Sequence, residues 1–400
     1  MKINYQTIKR FFHFRRKDKF LQLIDIRFFG IMLLTVSCIS SFDPAGLQER
    51  AGLLVVEGMI LEEGTTIQLS RTVKMNDALA FADYVNNASI HIIDEGHNII
   101  AVAEQQIVNG SYIPGTYIVN DSISFMSGMK YALEIQIDGK LYQSAFLSPV
   151  YTPEIDEVTW QINDDNNIDI FVSTHDPDNQ TNYYRWDFVE DWEIRSPLFW
   201  ESRYDPTTRT LIPQSIAGDN RYYCWASDHS KSLLIASTAR YAETVIKNHK
   251  IHSFESGTSR YSYLYSIFVK QYGLDNEAYL YFENLQRNLD ESGSIFAPQP
   301  SEKAGNIQCL SDPEETVIGY VFATKATTYR LYIPMVQLNL TGLEDQYTCI
   351  YEQSDPPDIE TAYTWGLGLY GEGYASLTCL DCTRRGGAKN KPDFWPNDHQ

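Results

Sequence analysis

The sequence predicts a mostly β protein with a minor helical part: an N-terminal Ig-like β-sandwich, then a second β-rich domain carrying one clear amphipathic helix. Three observations lead there. From Leu53 onward, short apolar runs alternate with turn residues. One stretch alone, near 275–292, has a convincing helical period. Aromatic residues, which favour strands, are abundant, with 27 Tyr, 19 Phe and 7 Trp. A hydrophobic content of 43% excludes a disordered chain.

Residues 1–37 read as an export signal. Lys2, Lys9, Arg10, Arg15, Arg16, Lys17, Lys19 and Arg27 precede the uncharged run Phe28–Ser37, and Cys38 follows. A cysteine at that point is the lipid acceptor of a bacterial lipoprotein, although Thr35 holds the usual lipobox leucine position and Leu34 lies one place further away. The apolar run is too short to span a bilayer, which takes about 20 residues. Residues 38–50 contain Ser, Pro and Gly without periodicity and read as a tether. Without residues 1–37, 24 basic and 50 acidic residues remain, a net charge of −26. So acidic a chain repels phosphates, which excludes non-specific nucleic-acid binding. It is also repelled by an anionic membrane, so lipid on Cys38 would have to hold it there.

Residues 51–150 form the expected sandwich. Its runs include Leu53–Ile60, Thr66–Thr72, Ala88–Asp94 and Tyr131–Ile137, the last closed by the hairpin signal Asp138-Gly139. Thr152-Pro153 marks a boundary, and residues 151–345 form the second domain. Val158–Ile162 and Ile168–Ser173 flank the turn Asn163–Asn167, Tyr183–Glu190 continues the strands, and 197–222 reads as an inserted loop. Leu274, Ala278, Tyr281, Phe282, Leu285 and Leu289 share one helical face, with Asp275 and Gly293 as caps. Tyr320–Thr324 and Tyr329–Pro334 return to strand character, and 346–400 is a Cys- and Gly-rich tail.

Motifs for chemistry are weak. Gly366-Leu367-Gly368-Leu369-Tyr370-Gly371 matches a dinucleotide fingerprint formally, but lacks the following helix that would receive the pyrophosphate. Asp164, Asp165, Asn166, Asn167 and Asp169 could offer oxygens to calcium, yet a solvated hairpin turn accounts for them better. His249 and His252 lack acidic or thiol neighbours in sequence, so surface positions are favoured over a shared metal. No catalytic, cofactor or metal-ligating residue is assigned, and no cofactor is expected. Five cysteines follow Cys38: Cys224, Cys309, Cys349, Cys379 and Cys382. An oxidising compartment favours disulfides among them, one cysteine at least staying out because the number is odd. Cys379-Leu380-Asp381-Cys382 favours a disulfide clamp on the tail over a redox or zinc site.

The chain resembles a Gram-negative outer-membrane lipoprotein family known as domain of unknown function 4249. The resemblance runs through Val55–Ile60, Tyr183–Trp186, Cys224-Trp225, Tyr261–Tyr263, Val269–Tyr272, Gly305–Ile307 with Cys309, and Gly319-Tyr320. It is most specific in the tail, Cys379–Gly387 and Lys391–Trp395. The resemblance implies a lipid anchor in the outer membrane and a TonB-dependent receptor as partner. It carries over no catalytic residue. Only Asp43 is acidic just after Cys38, so the surface and periplasmic faces both stay open. The leading expectation is a non-enzymatic ligand- or partner-binding accessory of such a receptor. The alternatives are a secreted hydrolase acting on glycans, which needs two carboxylates in one cleft, and a structural or adhesive surface module.

Overall fold

The computed structural model describes residues 52–73, 83–108, 110–214, 221–255, 257–291, 305–338, 349, 358–371 and 373–397. The leader, Cys38 and the tether lie outside the described residues, as does Gly293. Everything described belongs to one unit, Arg50–Gln400, and it is mostly β with a small helical content.

Nine strands lie between residues 54 and 144: β1 (Leu54–Gly58), β2 (Ile60–Leu61), β3 (Thr66–Arg71), β4 (Asp83–Tyr84), β5 (Ser89–Asp94), β6 (Ile99–Val108), β7 (Ser111–Ile118), β8 (Tyr131–Ile137) and β9 (Lys140–Ser144). They alternate buried and exposed residues, as strands covering one core must. The β8–β9 turn has φ 52° at Asp138 and 81° at Gly139, the positive values a tight two-residue hairpin requires. Hydrogen bonding runs through β1-β3-β7-β6-β5-β8-β9 as one sheet, which curls into an open half-barrel. The sequence reading expects two facing Ig-like sheets here. Instead β6 pairs with β5 through Ala103 and with β7 from Glu104, so a single strand links both halves. Register shifts in both ladders provide the bend.

The second part begins with β10 (Ile155–Ile162), β11 (Ile168–His175) and β12 (Tyr183–Arg195). There follow β13 (Ser202–Asp205), β14 (Thr210–Pro213), β15 (Tyr223–His229), β16 (Leu234–Ser237), β17 (Val245–Phe254) and β18 (Leu264–Leu274). Next come helix α1 (Asn276–Glu291), β19 (Ile307–Cys309), β20 (Ala323–Thr324) and β21 (Thr327–Pro334). A sheet β10-β11-β17 faces a sheet β15-β12-β18-β21, in which β16 also pairs with β12. Ile168, Ile170 and Val172 of the first meet Tyr184, Trp186, Tyr265, Ile267 and Val269 of the second in one core. Helix α1 starts where expected, because Asp275 Oδ1 accepts from the Ala278 N–H at 2.7 Å. Its Ala278 and Phe282 pack with Leu61, Tyr272 and Phe322 where the two parts meet. Leu285, one turn further along the predicted face, is exposed. No helix among the described residues is long and apolar enough to cross a membrane.

After α1 the chain returns to the first core. β19 pairs with β9, Ile318 hydrogen-bonds to Leu54 and Val56 of β1, and β20 pairs with β2. Ile307, Val317, Val321 and Ala323 thereby fill the half-barrel. The return demands close backbone contact. A Cβ on Gly319 would lie 1.9 Å from the Val56 carbonyl oxygen, and one on Gly305 would lie 1.6 Å from that of Gly319. Both sit at positive φ, so glycine is required twice over.

The tail is more ordered than an extended segment. It holds α2 (Ile359–Thr364), the hairpin β22 (Leu367–Tyr370) and β23 (Gly373–Ser376), and the short α3 (Leu377–Leu380). Ala375, Leu377 and Leu380 bury Trp200 of the 197–222 segment, which gives this stretch a small core of its own.

Candidate functional site

Strand β12 gathers buried carboxylates, guanidiniums and aromatic rings among the described residues. Tyr184, Trp186, Phe188, Glu190, Trp192 and Ile194 are buried at alternate positions and point to the sandwich core. Asp191 and Glu193 are buried too, on the other face. Three carboxylates out of water on one strand demand compensation, because a buried unpaired charge is costly.

On the inner face the Glu190 side chain is 2% exposed. Its Oε2 accepts from Tyr265 Oη at 2.9 Å and lies 3.1 Å from His252 Nε2. Its Oε1 accepts from Arg260 Nε at 3.0 Å and from Arg260 Nη2. The guanidinium stacks over Trp192 and reaches Asp228 at 3.5 Å. Burial pushes the Glu190 carboxyl up, but the His252 and Arg260 hydrogen bonds and charges outweigh it and hold the group at about 2. Burial and the adjacent carboxylate push the Tyr265 hydroxyl well above its ordinary range.

On the outer face each acid also finds a guanidinium on aromatic rings. Asp191 Oδ2 is 3.4 Å from Arg330 Nη1, and Arg330 lies between Phe268 and Phe394. Glu193 accepts from Arg195 Nε at 2.9 Å, and Arg195 lies between Tyr223 and Tyr263. Residues of the tail complete this layer. Trp395 Nε1 donates to Glu193 at 3.0 Å, and the Phe394 carbonyl accepts from Tyr332 Oη at 2.8 Å. Asp381 binds Arg221 at 2.7 Å, and Arg385 donates to the Arg195 carbonyl at 2.7 Å.

Disulfides fasten the same strap. Cys224 of β15 bonds to Cys382, and Cys349 to Cys379. The two cysteines of the Cys379–Cys382 motif thus take separate, distant partners. Cys309 is free and buried in the first core. Gly366, Gly368 and Gly371 belong to the β22–β23 hairpin, where Gly368 lets Trp200 and Leu380 approach. Asn163 Oδ1 closes the 163–167 turn by accepting from the Asp165 and Asn167 amides, both at 3.0 Å. Asp169 bonds to Lys250 at 2.8 Å and to Ser253 at 2.5 Å. His249 stacks on Trp186, and burial lowers its basicity, while His252 serves Glu190. Among the described residues no group of three or more His, Cys, Asp or Glu could hold a metal.

One open groove, about 470 Å³, lies at the β10–β11–β17 edge. Asp156, Glu157, Ser173, His175, Glu243 and Lys247 line it. His175 Nδ1 is 2.7 Å from Asp156 Oδ1, a pair open to solvent. Neither this groove nor the Glu190 cluster was legible from motifs. A two-residue period carried past Glu190 to Trp192 and Ile194 would have placed Glu190 inside.

The β12 clusters are chemically closed, since every buried carboxylate meets an internal cation and lies out of a substrate's reach. They are suited to fixing the strand and the tail upon it, while the groove offers ionisable groups to a soluble molecule. No curated protein matches this sequence. One family model spans residues 39–330, most of the chain. The chain therefore belongs to the family described as Domain of unknown function (DUF4249).

Proposed function

We propose that the protein is an exported outer-membrane lipoprotein, held by lipid on Cys38, whose β body binds a ligand or partner without catalysis. A TonB-dependent receptor is the partner that the family resemblance implies. The observation that carries this reading is the state of the cysteines. Cys224, Cys349, Cys379 and Cys382 pair among themselves, and Cys309 is buried. No accessible thiol among the described residues is left for Cys38, which favours lipid over a disulfide on its sulfur. Two disulfides also suit a chain that matures in an oxidising compartment, the destination expected from its basic and apolar leader. The closed β12 clusters favour a rigid binding body over an active site.

Palmitate labelling of cells producing the wild-type and Cys38→Ala chains tests the anchor, with label expected on the wild type alone. Protease treatment of intact cells then reads the face of the membrane. Affinity purification from outer membranes should recover a β-barrel receptor, and its absence removes the partner half of the proposal.

The groove supports a second reading, a glycan hydrolase, because Asp156, Glu157 and Glu243 line it together. Under the leading reading, incubation with polysaccharides releases no reducing ends. Release that disappears in Glu157→Gln or Glu243→Gln would favour the hydrolase.

A further inference from the structure

We propose that the tip of the β6–β7 hairpin seats in the lipid surface to which Cys38 tethers the chain, making a second, apolar membrane contact. The proposal rests on the lipid-anchor reading above.

The hairpin tip is an apolar projection. Ile107 pairs with Tyr112 and Val108 with Ser111, and these pairs gain no further strand on either side among the described residues. The β5 ladder stops at Ala103 and the β3 ladder at Thr116. Ile107 is 56% exposed and Tyr112 64%, with Val108 exposed beside them. A hairpin shows such side chains to water at a cost, since each apolar group would be more stable out of it.

The hairpin tip is also free of formal charge. Residues 105–120 contain no charged side chain, in a chain whose formal net charge is −20. Tyrosine suits the boundary between lipid headgroups and water, with an apolar ring and a polar tip. Arg71 pairs with Asp138 at 3.6 Å further back at this end.

Strand register places the start of the described chain at the same end. Leu54, at the start of β1, pairs with Arg71 at the end of β3. β3 runs antiparallel to β7, with Thr66 opposite Ile118 and Gln68 opposite Thr116. The end of β3 therefore lies toward the start of β7, where the tip is. Gly52 hydrogen-bonds to the Thr72 carbonyl at 2.8 Å, which holds the beginning of the described chain there. Thirteen residues lie between Cys38 and Gly52, a span of at most about 50 Å when extended. The described chain therefore begins at the end of the half-barrel that carries the exposed tip, which puts the tip within reach of the surface that a lipid on Cys38 would enter. The occupant is lipid with zwitterionic headgroups, because the acidic body is repelled by anionic ones.

The test uses the mature chain, acylated and as the unacylated Cys38→Ser variant, with vesicles of phosphatidylcholine and phosphatidylethanolamine. Hydrogen exchange is read with and without vesicles. We expect peptides covering 105–114 to slow at least threefold in both forms, with no change in β11 or β17. Ile107→Glu with Tyr112→Glu should abolish the slowing and weaken vesicle flotation of the unacylated chain at least tenfold, at unchanged Tm. Unchanged exchange at the tip overturns the proposal. Protection that arises only with protein-containing outer-membrane fractions also overturns it and assigns the tip to a protein. The anchor reading fails separately, by the absence of lipid on Cys38 in a mass spectrum. The Cys38→Ser experiment then still reports on the hairpin.

Discussion

Glu190 joins three side chains inside the second β part. Its carboxylate holds Arg260, His252 and Tyr265 together in the core. Glu190→Ala leaves a buried guanidinium without its main partner, and should cost about 3–5 kcal/mol in chemical denaturation. Glu190→Gln keeps the shape but removes the charge, and should cost less. The pH dependence follows from the lowered carboxyl, which sits at about 2 against an ordinary 4.5. Its contribution is fully present above pH 4.5 and fades as pH falls toward 2, because the unfolded chain binds the proton first. The wild type should therefore lose on the order of 3 kcal/mol more than Glu190→Gln between pH 6 and pH 2. Denaturation curves at stepped pH check this, and parallel losses would show that other groups dominate. The sequence displays an acidic run, Glu190-Asp191-Trp192-Glu193, with no basic residue inside it. Its burial depends on Arg260, Arg330 and Trp395, which lie 70, 139 and 202 residues from their carboxylate partners. No local pattern carries pairings at such separations.

Among the elements, hairpins and helix α1 were legible because their causes are local: a turn at Asp138-Gly139, alternation in β8, a cap at Asp275. The return of residues 305–324 was not, because its strands are short. β19 has three residues and β20 two, too few to display a period. Gly319 marks the return chemically. Gly319→Ala introduces a Cβ into the Val56 carbonyl and should lower stability by about 2–4 kcal/mol, read as a fall in Tm. A control substitution at Gly110, where nothing lies within 4 Å, should cost less, with backbone strain alone at its positive φ. The disulfides should differ in weight as well. Cys224–Cys382 closes 158 residues and Cys349–Cys379 closes 30, so loop entropy assigns them about 5 and about 4 kcal/mol. Cys224→Ala with Cys382→Ala should lower the denaturation midpoint more than the other double variant does. The cysteine number announced an unpaired thiol, but spacing gave no means of choosing Cys309, whose exclusion follows from its burial in the first core.

For the whole molecule, the two β parts share more than a linker. The first core contains Ile307, Val317, Val321 and Ala323, and helix α1 packs where the parts meet. A fragment of residues 52–150 should therefore stay largely unfolded, with poor NMR dispersion, while residues 52–338 give dispersed spectra. A folded 52–150 fragment would show that the return segment adds little. Composition indicated β structure, a sum over residues, whereas the filling of the half-barrel is a property of one distant segment. That late filling has a consequence for how the protein comes into being. A chain delivered N-terminus first presents β1 to β9 long before residues 305–324 arrive to line the half-barrel. The earliest strands must wait with apolar faces and both sheet edges uncovered, and pairings so distant in sequence slow folding. Such a chain is prone to self-association during that wait. A holding chaperone would have most to do in the interval before Gly319 reaches Val56.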